Sequence, residues 1–264
     1  MQSYSYQNVQ LSAGYLFGKQ ELNREITIDT VYDRFFETGR IAAFDFDYDP
    51  TVEGAVKPHF FWDSDVAKWI EGTAYILKNH PEMHELEQKA DSLISKIREH
   101  QGEDGYFNIY FTVVAPKNRF KDRGAHELYC AGHLMEAAVA YAEATGKTEL
   151  LTCMEKYAEL IYKVFVLDKS AAFHTPGHEE IELALIRMYR HTGKKIYLDL
   201  AAYFINTRGT IDEYKHSVND QSHKPVREQT EAVGHAVRAL YLYTGMARLA
   251  KETDDDALRP PSRT

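Results

Sequence analysis

The chain has 264 residues, 44% of them hydrophobic and 27% charged, with a net charge of −9. That length suits one large domain or two small ones, and the apolar share is enough for a sizeable core. The acidic balance, with no basic run and no interleaving of basic and aromatic residues, argues against a nucleic-acid partner. No apolar stretch reaches the ~18 residues of a membrane span, so no membrane partner is expected.

In chain order, residues 1–62 read as an irregular, extended N-terminal arm with at most one helix, around 25–38. The first 20 residues lack the charged start and continuous apolar core of a secretory signal. Asp63-Ser64-Asp65 offers N-caps for a helix through Trp69, Ile70, Ala74 and Leu77 that ends near Pro81. Leu86, Ala90, Leu93, Ile94 and Ile97 recur at helical spacing among charged residues, which predicts an amphipathic helix. Residues 105–114 (GYFNIYFTVV) alternate enough for a short extended segment.

From there one device occurs three times: a Gly-His pair opens an apolar helical stretch that closes on Thr-Gly. The copies run from Gly132-His133 to Thr145-Gly146, from Gly177-His178 to Thr192-Gly193, and from Gly234-His235 to Thr244-Gly245. The closing glycines are 47 and 52 residues apart, about two helices per repeat. The stretches around Leu134–Ala140, Ile181–Met188 and Ala236–Leu242 are apolar nearly all round, so protein must surround them. The stretches between them, Leu150 to Ile161 and Tyr197 to Ile205, are amphipathic. A further amphipathic helix is expected to begin near Met246.

Buried and amphipathic helices in alternation predict an all-α fold of two concentric layers, an α/α toroid. Thr-Gly-Lys at 145–147 and 192–194 supplies tight hairpin turns, with Gly at the left-handed helix end. The long returns, 101–125, 165–177 and 209–225, gather at the end where inner helices begin, the end that carries the histidines. On this reading residues 63–258 form a partial barrel. Residues 259–264 (RPPSRT) form a tail out of character with it, such as a frameshift leaves, and the two prolines cannot continue a helix. An unclosed inner layer would leave Val237, Leu240 and Leu242 exposed, which predicts self-association.

His133, His178 and His235 are the main candidate site residues. A helix N-terminus disfavours imidazolium, so neutral rings there suit hydrogen bonds to sugar hydroxyls or acid–base work. The alternative is that they cap or pack. His126 lies seven residues before His133 and shares a helix face with it; this is not the four-residue spacing of a zinc helix. Glu231 precedes His235 by four. With Glu228 it is a candidate for one carboxyl of a glycosidase pair, or else a polar first turn after Pro225. His178 and Glu182 are placed to pair, whereas Glu179 and Glu180 are explained by the helix dipole. Cys130 and Cys153 have no metal-like spacing and read as reduced thiols of a cytoplasmic protein.

The strings WDSDVAKWIEG (62–72), HELYCAGHLMEAAVAY (126–141), PGHEEIELAL (176–185) and PVREQTEAVGHAVRALYLYTGMA (225–247) together resemble glycoside hydrolase family 127, the β-L-arabinofuranosidases. The resemblance runs from about residue 9 to 258. It implies an (α/α)6 barrel, a small carbohydrate substrate, and retaining hydrolysis of terminal β-L-arabinofuranosides by a cysteine nucleophile held on zinc. The family's Glu-x-Cys and Cys-Cys zinc ligands lie downstream of the VGHAVRA string, so this chain is expected to bind no zinc and to be inactive alone. Neither Cys130 nor Cys153 matches the nucleophile's context. His133, His178 and His235 match the family's substrate-side histidines. Two rival readings are a toroidal sugar epimerase using paired histidines and a non-enzymatic sugar-binding scaffold.

Overall fold

The computed structural model describes residues 8–211 and 216–258; the 259–264 tail, read above as non-native in character, lies outside the described residues. Nine α-helices occur among those residues, and no strand. The first two, α1 (Gly14–Leu22) and α2 (Ile28–Glu37), are joined by a π-helical turn at Asn23–Thr27 into one helical rod. The N-terminal arm is therefore more helical than its sequence suggests. The reason is tertiary: Ile28, Val31, Tyr32 and Phe35 form one apolar face that packs on the core. The indole of Trp69 also donates to Ile28 O at 2.9 Å.

The remaining helices alternate as expected. α3 (Trp62–Asn79), α5 (Glu127–Thr145), α7 (Ile181–Thr192) and α9 (Ala236–Thr253) form the inner layer, each packed on the next. α4 (His84–His100), α6 (Glu149–Tyr162) and α8 (Lys195–Thr207) form the outer layer. Helix α5 buries residues around its whole circumference, from Leu128 through Met135 to Tyr141. Helix α6 buries one face only, through Leu150, Met154, Tyr157 and Ile161. Each such Leu, Ile or Met contributes roughly 1.5–3 kcal/mol by leaving water, which is what holds the two layers together.

The hairpin turns after α5 and α7 share one construction. Gly146 and Gly193 take the left-handed conformation (φ 76° and 72°). Behind each, the threonine hydroxyl accepts from the backbone N–H two residues on, at Lys147 (3.1 Å) and Lys194 (3.2 Å).

Several expectations are corrected. Thr244-Gly245 is not a turn: α9 runs through it as one helix, so no new helix begins at Met246. Gly245 is there for closeness, since a Cβ would stand 3.3 Å from Glu182 Cβ and 3.6 Å from Ile205 Cδ1. Residues 105–114 are not extended. Asn108 Oδ1 accepts from Phe111 N at 2.9 Å, and the Thr112 hydroxyl donates to Asn108 O at 2.6 Å. These bonds wind Tyr110–Val114 into a π-helical turn. Asp63 is not an N-cap; it lies inside the first turn of α3, fully buried, and accepts from Ile109 N at 3.0 Å. Leu242 is fully buried, and only Val237 and Leu240 of the three α9 residues are exposed.

Candidate functional site

The three Gly-His pairs do not stand at equivalent helix positions. His235 is the N-cap of α9, and His178 lies in the loop before α7. His133 is buried in the second turn of α5, six residues past the first helical residue, so its glycine does not open the helix. The glycines share a steric role instead. A Cβ on Gly132 would stand 1.5 Å from Glu180 Oε2, one on Gly177 2.4 Å from Arg123 O, and one on Gly234 1.9 Å from Val218 O. Each brings neighbouring segments closer than any side chain allows, and delivers the following histidine into that seam.

The imidazoles do converge. His178 is the hub: its ring centroid lies 5.3 Å from that of His126 and 6.2 Å from that of His235. Two tyrosines complete the cluster. Tyr129 lies 4.4 Å from His178 and 4.5 Å from His133, and Tyr241 lies 5.9 Å from each of those histidines. His126, held in the left-handed conformation (φ 59°) as N-cap of α5, also contacts Phe60 and Phe61. The Lys68 ammonium sits over the Tyr129 ring at 4.9 Å. The sequence reading missed Tyr129, Tyr241 and Lys68. Tyr129 and His133 at i, i+4 on one apolar helix was the available signal.

The buried rings of the cluster are held away from their ordinary titration range. Burial pushes His133 down to about 2 and His178 down to about 4, and it lowers His126 as well. Burial holds Tyr129 up at about 12. At neutral pH these rings are neutral, each one donor and one acceptor. Neutrality was expected, but its main cause is desolvation; Lys68 adds to it at His133, while a backbone hydrogen bond opposes it at His126 and His178.

Glu231 does not join the cluster. Residues 229–235 are not helical, so Glu231 and His235 share no face, and both side chains are exposed. The His178–Glu182 pairing is also absent. The His178 Nδ1 lies 2.9 Å from Glu179 O, while Glu182 accepts from Arg208 at 3.2 Å. Nor are Glu179 and Glu180 exposed dipole partners. Both are buried before the first residue of α7; Glu179 pairs with Arg208 at 3.0 Å, and Glu180 Oε1 stands 3.6 Å from His133 Nδ1.

The thiols do not fit the zinc centre implied by the sequence resemblance. Cys130 is buried beneath the Phe60 carbonyl at 3.6 Å, and burial pushes its thiol well above the usual range, opposite to a metal-bound thiolate. Cys153 is on outer helix α6, also buried with its thiol raised. Among the described residues no group of His, Cys, Asp and Glu side chains is arranged to hold a metal ion. No step through zinc is derived for these residues.

Inner and outer helices in alternation, with an imidazole–tyrosine cluster among the inner-helix starts and the loops before them, define a barrel-type helical domain with a polar site. The comparisons give the family. The model for the β-L-arabinofuranosidase GH127 catalytic domain matches residues 8–263, and the chain belongs to that family. It is 37% identical over 222 residues to a non-reducing end β-L-arabinofuranosidase of Bifidobacterium longum subsp. longum, covering 75% of this chain and 34% of that protein. Among solved structures, a GH127 β-L-arabinofuranosidase from Geobacillus stearothermophilus T6 superposes with a TM-score of 0.85 at 39% identity, over 95% of this chain and 43% of that one. A second GH127 β-arabinofuranosidase gives 0.84 at 34% identity, over 96% and 41%. The fold is thus of (α/α)6-barrel type, and the chain spans between a third and under half of the length of these relatives. No helix of the described residues is long and apolar enough to cross a membrane.

Proposed function

We propose that this chain forms the substrate-facing wall of a β-L-arabinofuranosidase-type site. In it His133, His178 and His235 hydrogen-bond the hydroxyls of a terminal β-L-arabinofuranosyl unit, and His126 borders it on the Phe60–Phe61 side. The observation that carries this reading is the packing of His133 and His178, both held neutral by burial, around Tyr129 and Tyr241, with His235 beside His178. A neutral imidazole offers one donor and one acceptor, which matches a sugar hydroxyl that is itself both. Glu231, exposed and outside the cluster, is not a site residue on this reading. The buried thiols suit a reducing, cytoplasmic setting.

Titration of the chain with methyl β-L-arabinofuranoside, followed through the histidine ring resonances, tests the reading. Selective shifts of His178 and His235 are expected, and His178→Ala should weaken binding about tenfold, the worth of ~1.4 kcal/mol for lost hydrogen bonds. Histidine resonances unmoved at millimolar sugar would sink it.

A further inference from the structure

Glu180 is fully buried, and neither of its carboxyl oxygens has a hydrogen-bond partner among the described residues. Such a group is anomalous, because buried polar atoms are normally satisfied. Its position is nevertheless built. Oε2 fills the space a Cβ on Gly132 would occupy, and Oε1 stands 3.6 Å from His133 Nδ1, a small side-chain rotation from hydrogen-bonding distance. The other end of that ring, His133 Nε2, is also buried without a partner.

Burial decides the protonation of Glu180, and its charged neighbours come second. Glu136 from α5, Glu71 from α3 and Glu182 from α7 raise the carboxyl further and Lys68 from α3 opposes them, so that it stands well above its usual range. His133 faces Lys68 and His178, and burial keeps it neutral. The pair is therefore a carboxylic acid beside a neutral imidazole, not an ion pair. An acid O–H needs an acceptor, and His133 Nδ1 stands 3.6 Å from Oε1.

We propose that Glu180 is a positioning residue for His133: seated over Gly132, it donates its proton to Nδ1 and fixes the tautomer that keeps the ring hydrogen on Nε2. The Nε2–H is then a committed donor with no acceptor among the described residues, and an incoming sugar hydroxyl supplies one. The second half of this inference rests on the proposed sugar site; the first half does not.

The test is 15N spectroscopy of the full 264-residue chain labelled at histidine, in the absence of sugar, with Glu180→Gln and Glu180→Met. The inference expects one His133 tautomer between pH 5 and 8, with Nδ1 unprotonated. Glu180→Gln should retain it, since the amide donates in place of the acid. Glu180→Met should release it to a mixture. Isotope-edited infrared should lose one carboxylic-acid C=O band in Glu180→Gln relative to the parent at pH 7. A doubly protonated His133 at pH 7, hydrogen on Nδ1, or an unchanged tautomer in Glu180→Met would each overturn the assignment. Should Glu180→Met fail to fold, the parent and Glu180→Gln decide alone: both must show the same tautomer, and the infrared band must vanish. If the tautomer holds while the arabinofuranoside leaves His133 unmoved, the sugar site fails and the Glu180 assignment stands.

Discussion

The guanidinium of Arg208 lies 3.0 Å from the carboxylate of Glu179, and both side chains are fully buried although they sit 29 residues apart. The same guanidinium donates to Asp220 O at 2.9 Å, Pro176 O at 2.8 Å and Glu182 Oε1 at 3.2 Å. Arg123 adds a bond to Thr175 O at 2.9 Å and an ion pair to Asp220. Two arginines thus clamp residues 175–182, the segment that presents His178. Removing one partner of a buried pair leaves the other uncompensated, at ~3–5 kcal/mol. Arg208→Met should destabilise the chain by about that much in denaturant unfolding; a loss under ~1 kcal/mol would show that the clamp is dispensable.

Gly132→Ala places a methyl group where Glu180 Oε2 sits and 2.8 Å from Ile181 Cα. The carboxyl group can move but the backbone of α7 cannot do so cheaply. Overpacking of this kind costs ~1–3 kcal/mol. Thermal unfolding should register the loss, and Gly132→Ala combined with Glu180→Ala should recover only part of it. Full recovery would mean that the helix backbones do not limit the approach.

Asp63 gives a pH dependence opposite in sign to the usual paired carboxylate. Burial raises it to about 7, against ~3.9 unfolded. The folded chain therefore holds an extra proton between those values, and this contribution to stability falls as pH rises from about 4 to 7. Asp63→Asn keeps an acceptor for Ile109 N without the titration. Its stability relative to the parent should rise across that window by up to ~4 kcal/mol and then level off. A difference that stays flat from pH 4 to 8 would show that Asp63 ionises freely.

The histidine pair has the reverse sign. His178, held to about 4, and His133, held to about 2, stay neutral when folded, while unfolded histidines protonate near 6.5. Their contribution is intact above pH 6.5 and declines as pH falls from there towards 4. In a His235→Ala background, which leaves His178 and His133 as the binding rings, sugar binding should be constant from pH 8 to about 5 and fall below it. A midpoint near 6.5 would place the binding histidine in open water.

Val237 and Leu240 on α9 are 48% and 67% exposed. Apolar surface on an inner-layer helix favours association. The chain should sediment as oligomers at micromolar concentration, and Val237→Lys with Leu240→Glu should restore the monomer. A monodisperse parent monomer would remove this expectation.

Periodicity alone separated the inner helices from the outer ones. Leu134–Ala140 has no polar face and Leu150–Ile161 has one, and each pattern reports only whether water reaches that face. The turns after Thr145 and Thr192 were legible for the same reason, as a glycine at a helix end is a local demand. Thr244-Gly245 misled because the same two residues meet a different demand there, close approach to Glu182 and Ile205, which depends on where other helices lie. Residues 1–62 misled because α2 gains its order by docking on α3. In the site, the histidines were visible as a repeat. Glu180 over Gly132, Tyr241 beside His178, and Arg208 on Glu179 join residues tens of positions apart. The sequence by itself determined the two-layer helical fold and the end that carries the imidazoles, because burial leaves its rhythm along the chain. Only the tertiary structure decided which groups face those imidazoles and in what protonation state, because desolvation and charge pairing are set by neighbours that sequence spacing does not order.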